Sequence, residues 1–146
     1  MNVLFVCTGN TCRSPMAEAI FNDCCEKSGK SHQSFSKGIN VFFPQSISAK
    51  SVESLKAIDI DNYKAFSEQL TIQDVEKADL ILTMTSGHKM MLKNSFAKHK
   101  DKIYTLKEKA YGKDGDVNDP FGQSQLVYDM CCNEIKDAIM ELLCMI

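Results

Sequence analysis

No apolar run in this 146-residue chain approaches the roughly 18 residues that a membrane-spanning helix needs. The apolar stretch within Met1 to Cys7 is five residues long and lacks a basic segment, so no signal peptide is expected. There is no C-x-x-C, and His32, His88 and His99 are scattered, which argues against a structural zinc site. The glycine-lysine string of a nucleotide P-loop is missing too. No basic excess exists: 17 lysines and arginines face 19 acidic residues, for a formal charge of −2. That gives no support to a nucleic-acid protein working through a large basic face. Arginine itself is nearly absent, since Arg13 is the single one among the 17 basic residues. The seven cysteines are odd in number and include the adjacent pairs Cys24-Cys25 and Cys131-Cys132. Without a secretion signal, a cytoplasmic protein with reduced thiols is expected.

What remains describes one domain, residues 1–146, with 44% hydrophobic residues. A chain of this size buries roughly 68–70% of its unfolded surface and supports its own core. Val3-Leu4-Phe5-Val6 has the length of a buried parallel strand. Turn residues Thr8-Gly9-Asn10 follow, and a helix is predicted from near Ser14-Pro15, with Ala17, Ile20, Phe21 and Cys24 as its apolar stripe. Further strands are predicted at Ser34 to Ser36, Leu80 to Leu82 and Ile103 to Thr105. Helices are predicted over Ser48 to Ile58, with Val52, Leu55 and Ile58 inward, after a Thr71-x-x-Asp74 box, over Ser86 to Asn94, and from Ser124 onward. Val127, Cys131, Ile135, Ala138, Ile139 and Leu142 share one face of that last helix. Lys107 to Gln123 is polar and glycine-rich and reads as a long surface loop, with Asp114 and Asp116 as solvated charges. Strands alternating with helices predict an α/β fold, a parallel sheet covered on both faces. Ligands of such sheets sit beyond the C-terminal strand ends, where the loop after Cys7 and the long loop both fall.

The loop Cys7-Thr8-Gly9-Asn10-Thr11-Cys12-Arg13-Ser14-Pro15 carries the chemistry. Backbone N–H groups of Thr8 to Arg13, together with the helix N-terminus, can converge on a tetrahedral oxyanion. The same field favours a thiolate at Cys7. Arg13 offers a planar fork for two phosphate oxygens, a geometry that lysine lacks. Ser14 can donate its hydroxyl to the thiolate and improve it as a leaving group. Gly9 is expected to supply backbone freedom, and Asn10 to accept a left-handed conformation while its side chain braces the loop.

The run Val3 to Ile20, VLFVCTGNTCRSPMAEAI, resembles the active-site segment of low-molecular-weight protein tyrosine phosphatases. The resemblance extends along the chain through Ser36-Lys37-Gly38, Ala78-Asp79-Leu80, Met84-Thr85 and Gly115 to Gly122. It implies a four-stranded parallel sheet with flanking helices, catalysis without metal or other cofactor, phosphorylated protein substrates, no membrane or nucleic-acid partner, and a monomer. It also implies that Cys7 forms a phosphocysteine and that Asp119, held by Pro120, protonates the leaving group and then activates water. Ser36 matches a serine that supports the loop. Phe121 is placed at the rim, stacking the substrate or packing as a lid residue.

Tyrosine-directed relatives carry a bulky aliphatic residue where this chain has Thr11. Threonine there, with the loop Gly-Asp-Val-x-Asp-Pro-Phe-Gly, is similar to bacterial protein-arginine phosphatases of the same family, since a hydroxyl suits a polar guanidinium. Phosphoarginine is thus the favoured substrate, with phosphotyrosine second. Cys12 either traps the nucleophile in a reversible disulfide or fills space. Cys24, Cys25, Cys131, Cys132 and Cys144 read as core-packing helix residues. Relatives often carry a histidine where this chain has Ala65, so Asn10 is expected to lack one hydrogen bond. Thioredoxin-coupled arsenate reductases share the fold but need two further cysteines, and Asp79 to Lys93 contains none. A non-catalytic phosphate-binding module would have lost Cys7 or Asp119.

Overall fold

The computed structural model describes residues 1–146. Strand β1 (Asn2–Cys7) is central because both of its faces are apolar. Val3, Phe5 and Cys7 enter one core, and Leu4 and Val6 enter the other. It pairs in parallel with β2 (Gln33–Gly38) and with β3 (Leu80–Thr83), and β3 pairs in parallel with β4 (Ile103–Thr105). The strand order is β2-β1-β3-β4. Cys7 stands opposite Gly38, Val6 opposite Thr83, and Thr83 opposite Thr105. The carboxyl ends of all four strands therefore lie along one edge, as the alternation of elements predicts.

Helices α1 (Arg13–Ser28), α2 (Ala49–Ala57), α5 (Leu106–Tyr111) and α6 (Gln125–Leu143) cover one face over the larger core. Phe5 meets Phe21 edge to face there, with ring centroids 5.7 Å apart. Helices α3 (Ile72–Lys77) and α4 (Ser86–Ser95) cover the other face over Val75, Ala78, Ile81, Leu92 and Ile103. Each helix starts where its cap dictates. Ser48, Thr71, Thr85, Thr105 and Ser124 each accept from a backbone N–H of the following turn. Helix α1 is the exception, because Cys12 at its N-cap makes no side-chain capping bond.

Several expectations are corrected. Lys107 to Gln123 is not all loop: α5 occupies its first residues, held by a reciprocal Thr105–Glu108 capping box. Helix α2 buries Ser51, Ser54 and Leu55, while Val52 and Ile58 are only half-buried, because Ser54 donates to Asp129 of α6 at 2.6 Å. Cys144 is exposed just past α6, and Cys24 is half-buried beside the buried Cys25. A 3-10 turn, Ala97–Lys102, precedes β4 with no buried residue to announce it.

Candidate active site

β1 ends at Cys7 and the chain turns through Thr8 to Cys12 into α1. Asn10 turns the loop with a φ of 55°, and its side chain is fully buried. Gly9, by contrast, is not in the left-handed region, and a Cβ there would meet only Thr11 Oγ1, at 3.9 Å. The glycine the loop requires is Gly38 on β2. A Cβ on it would come within 2.8 Å of Thr8 O and 3.0 Å of Asn10 Cβ.

The Asn10 amide N–H donates to Cys7 Sγ at 3.3 Å, and Ser14 Oγ lies 2.9 Å from the same sulfur. The amides of Thr8, Gly9, Thr11 and Cys12 donate to no group of the protein. With the uncapped start of α1 they form a row of donors beside the sulfur. These residues line a cavity of about 290 Å³ that opens between Asn40 to Phe43 on one side and Asp119 and Phe121 on the other. Thr11 is half-buried in its wall, and Phe42, Phe43 and Phe121 are exposed at its mouth.

Arg13 is buried, and its two halves face the loop that carries Asp119. Nη1 donates to Val117 O at 2.9 Å, and Nη2 lies 3.8 Å from Asp119 Oδ2. Asp119 itself accepts from the Phe121 amide at 3.1 Å, which orients its carboxylate within the turn. Asp114 and Asp116 are not merely solvated. Asp114 pairs with Lys89 at 2.9 Å, and Asp116 accepts from the Ser86 amide at the start of α4 at 2.8 Å. The Val117 amide donates to Met84 O, so the loop is tied to the strand-end edge by main chain as well. Cys12 Sγ lies 3.5 Å from Tyr128 Oη. Burial, then the hydrogen bond with Cys12, pushes the pKa of that tyrosine up.

The loop is also supported from behind, by Ser36 as the resemblance implies and by Glu18, Lys64, Glu68 and His88, which the sequence reading did not single out. Asn10 Nδ2 donates to Ser14 Oγ at 2.7 Å and to Ser36 Oγ at 3.0 Å, and Ser36 donates to Glu18 Oε1 at 2.8 Å. The missing hydrogen bond expected at Asn10 is not missing. Lys64 Nζ, next to Ala65, reaches Asn10 Oδ1 at 2.8 Å, and the Glu68 amide reaches it at 3.0 Å. Burial raises the pKa of Glu18, and hydrogen bonding by Ser36 and the charge of Lys64 oppose that rise. On the other flank His88 Nε2 lies 2.8 Å from Thr8 Oγ1. Burial, followed by the charge of Arg13, pushes its pKa down to about 4, against the pull of Asp116 and Asp119. For Lys64 and Glu68 the only sequence signal was the gap at Ala65.

A family model described as low molecular weight phosphotyrosine protein phosphatase matches residues 2–146. The chain is 40% identical over 144 residues to the protein-arginine-phosphatase of Bacillus subtilis (strain 168), covering 97% of this chain and 94% of that protein. A low molecular weight protein tyrosine phosphatase structure from T. tengcongensis superposes with a TM-score of 0.95 at 40% identity, covering 100% of this chain and 99% of that one. A YwlE arginine phosphatase structure, a mutant whose active-site serine is phosphorylated, superposes with a TM-score of 0.93 at 39% identity, covering 97% and 93%.

Proposed function

The chain belongs to the low molecular weight phosphotyrosine protein phosphatase family, and from that premise we propose that it hydrolyses phosphoarginine on proteins through a phosphocysteine at Cys7. The observation that carries the reading is the convergence on one cavity of Cys7 Sγ, a row of free amides, the Arg13 fork and the Asp119 carboxylate.

Cys7 Sγ attacks phosphorus while the bond to the leaving nitrogen or oxygen breaks. The electron pair goes to the leaving atom, which takes a proton from Asp119. Arg13 and the loop amides hold the phosphoryl oxygens as charge spreads over them. Water then attacks phosphorus, Asp119 takes its proton, and the P–S bond breaks to return the Cys7 thiolate and release phosphate. Ser14 stabilises that departing thiolate by hydrogen bonding. The phosphorylated serine in the YwlE arginine phosphatase mutant supports a covalent intermediate at the corresponding place.

Phosphoarginine is favoured by the wall above the sulfur. Thr11, Asn40, Gln45 and Ser67 give it polar groups that suit a guanidinium, and Phe121 offers a ring face for a planar cation to stack on. Phosphotyrosine is the second reading, supported by Phe42 and Phe43 at the mouth, where a phenol would pack. Turnover of phosphoarginine and phosphotyrosine peptides by the wild type and Thr11→Ile separates them. The expected outcome is a shift of the activity ratio toward phosphotyrosine by about tenfold or more. An unchanged ratio removes the basis for phosphoarginine, and failure to trap phosphate on Cys7 in acid-quenched reactions removes the mechanism.

A further inference from the structure

Behind the phosphate loop lies a cluster that the reaction itself does not use: Lys64, Glu68, Ser36 and Glu18. We propose that Lys64 is a positioning residue: it orients the Asn10 amide and so makes Ser14 donate its proton to the Cys7 sulfur. The proposal rests on Cys7 being the nucleophile.

The inference follows from counting donors. The Lys64 ammonium has three N–H groups and three acceptors within reach: Asn10 Oδ1 at 2.8 Å, Ser36 O at 2.8 Å and Glu68 Oε1 at 3.0 Å. Its side chain is 10% exposed, so this geometry is held rather than sampled from solvent. The ammonium and the Glu68 amide are both donors only, so the atom of Asn10 that faces them must be its oxygen. The nitrogen then faces the two serines, and its two hydrogens go to Ser14 Oγ and Ser36 Oγ. The Ser36 hydroxyl donates its own hydrogen bond to Glu18 Oε1. Ser14 is fully buried, and the one acceptor left for its proton is Cys7 Sγ at 2.9 Å. With the Asn10 amide N–H at 3.3 Å, the sulfur then accepts two hydrogen bonds, which favours the anion over the thiol.

Turning the Asn10 amide over would set its N–H groups against the ammonium and the Glu68 N–H. Its oxygen would then accept from Ser14, whose proton would be lost to the sulfur. Lys64 makes the turned-over state costly, and with Lys64 removed only the Glu68 amide opposes it. The chain thus supplies from residue 64 the contact that the alanine at 65 cannot make.

The test uses the full chain carrying Lys64→Met or Lys64→Arg. Labelling of Cys7 by iodoacetamide at about pH 6.5, read by peptide mass spectrometry, is measured beside turnover of a chromogenic aryl phosphate. Lys64→Met is expected to slow labelling about tenfold and to lower kcat by a similar factor with KM little changed, because a hydrogen bond to a charged group is being lost. Lys64→Arg keeps a donor and a charge and is expected to stay within about threefold of wild type on both. If Lys64→Met does not fold, Lys64→Gln replaces it, since its amide stops one bond short of Asn10 and the same slowing is expected. A folded Lys64→Met or Lys64→Gln that labels at the wild-type rate overturns the proposal, and so does equal loss in Lys64→Met and Lys64→Arg. If wild-type Cys7 labels no faster than the exposed Cys144 and no phosphoenzyme can be trapped, the nucleophile reading has failed instead, and the role of Lys64 with it.

Discussion

Arg13 shows why one residue type can be irreplaceable where charge alone is not. Its Nη1 is committed to Val117 O at 2.9 Å, and its Nη2 lies within 3.8 Å of Asp119. A guanidinium does both with fixed geometry and keeps further N–H groups for phosphate oxygens. A lysine at this place has one nitrogen and must choose between the acid loop and the phosphate. Arg13→Lys is therefore expected to lower kcat by about 10²–10³-fold, the usual cost of removing one aimed donor from a developing charge. Steady-state turnover of an aryl phosphate checks it, and a loss below about fivefold would show that charge suffices. The residue's uniqueness was legible in the sequence: the other sixteen basic residues are all lysine, and the loop's spacing places the one arginine beside Cys7.

At the scale of elements, the acid loop is positioned by what it touches rather than by its own stiffness. Between the end of α5 and the start of α6 it is tied by Asp114 to Lys89, by Asp116 to the start of α4, and by Val117 to both Met84 O and Arg13. Asp116→Ala removes one neutral-donor bond worth about 1 kcal/mol. It is expected to slow turnover of substrates with poor leaving groups by about fivefold, and of good leaving groups by much less, because in the proposed mechanism only the former need the proton from Asp119. Equal losses on both would mean that Asp116 does not act through Asp119. Strands β1 and β3 were legible as short apolar runs, since burial on both faces leaves them almost no polar positions, whereas the edge strand β2, Gln-Ser-Phe-Ser-Lys-Gly, was legible only by its place before Gly38. Helix α5 was not legible, although Thr105-x-x-Glu108 is a capping box. Its polar surroundings hide a helix only two turns long whose buried face is just Leu106 and Ala110. The serines that α2 buries escaped for a similar reason. Periodicity assigns apolar residues inward, while a partner such as Asp129 on α6 decides whether a serine goes there.

Over the whole molecule, what was legible of the site divides by separation along the chain. Cys7 to Ser14 is a continuous string whose geometry follows from one strand-turn-helix passage, so roles for its residues could be proposed from spacing. Lys64, Glu68 and His88 reach the same loop across 54, 58 and 80 residues, and only the sheet order brings them there. The contact of His88 with Thr8 makes the pH dependence of folding a property of that assembly. The folded protein keeps His88 neutral down to about pH 4, whereas an unfolded chain protonates it near its ordinary 6.5. Between those limits the unfolded state binds more protons, so stability rises with pH and is lost on acidification from about 6.5 toward 4. Glu18 acts in the opposite sense. Its raised pKa lets the folded state hold a proton that the unfolded chain has released above 4.5, so its contribution weakens as pH rises through that window. The two can be separated by comparing wild type with His88→Asn in urea unfolding at about pH 4.5 and about pH 7. Acidification is expected to cost wild type on the order of 2 kcal/mol more than the variant. Equal losses in the two proteins would mean that His88 is protonated in the fold and that its contact with Thr8 survives the charge.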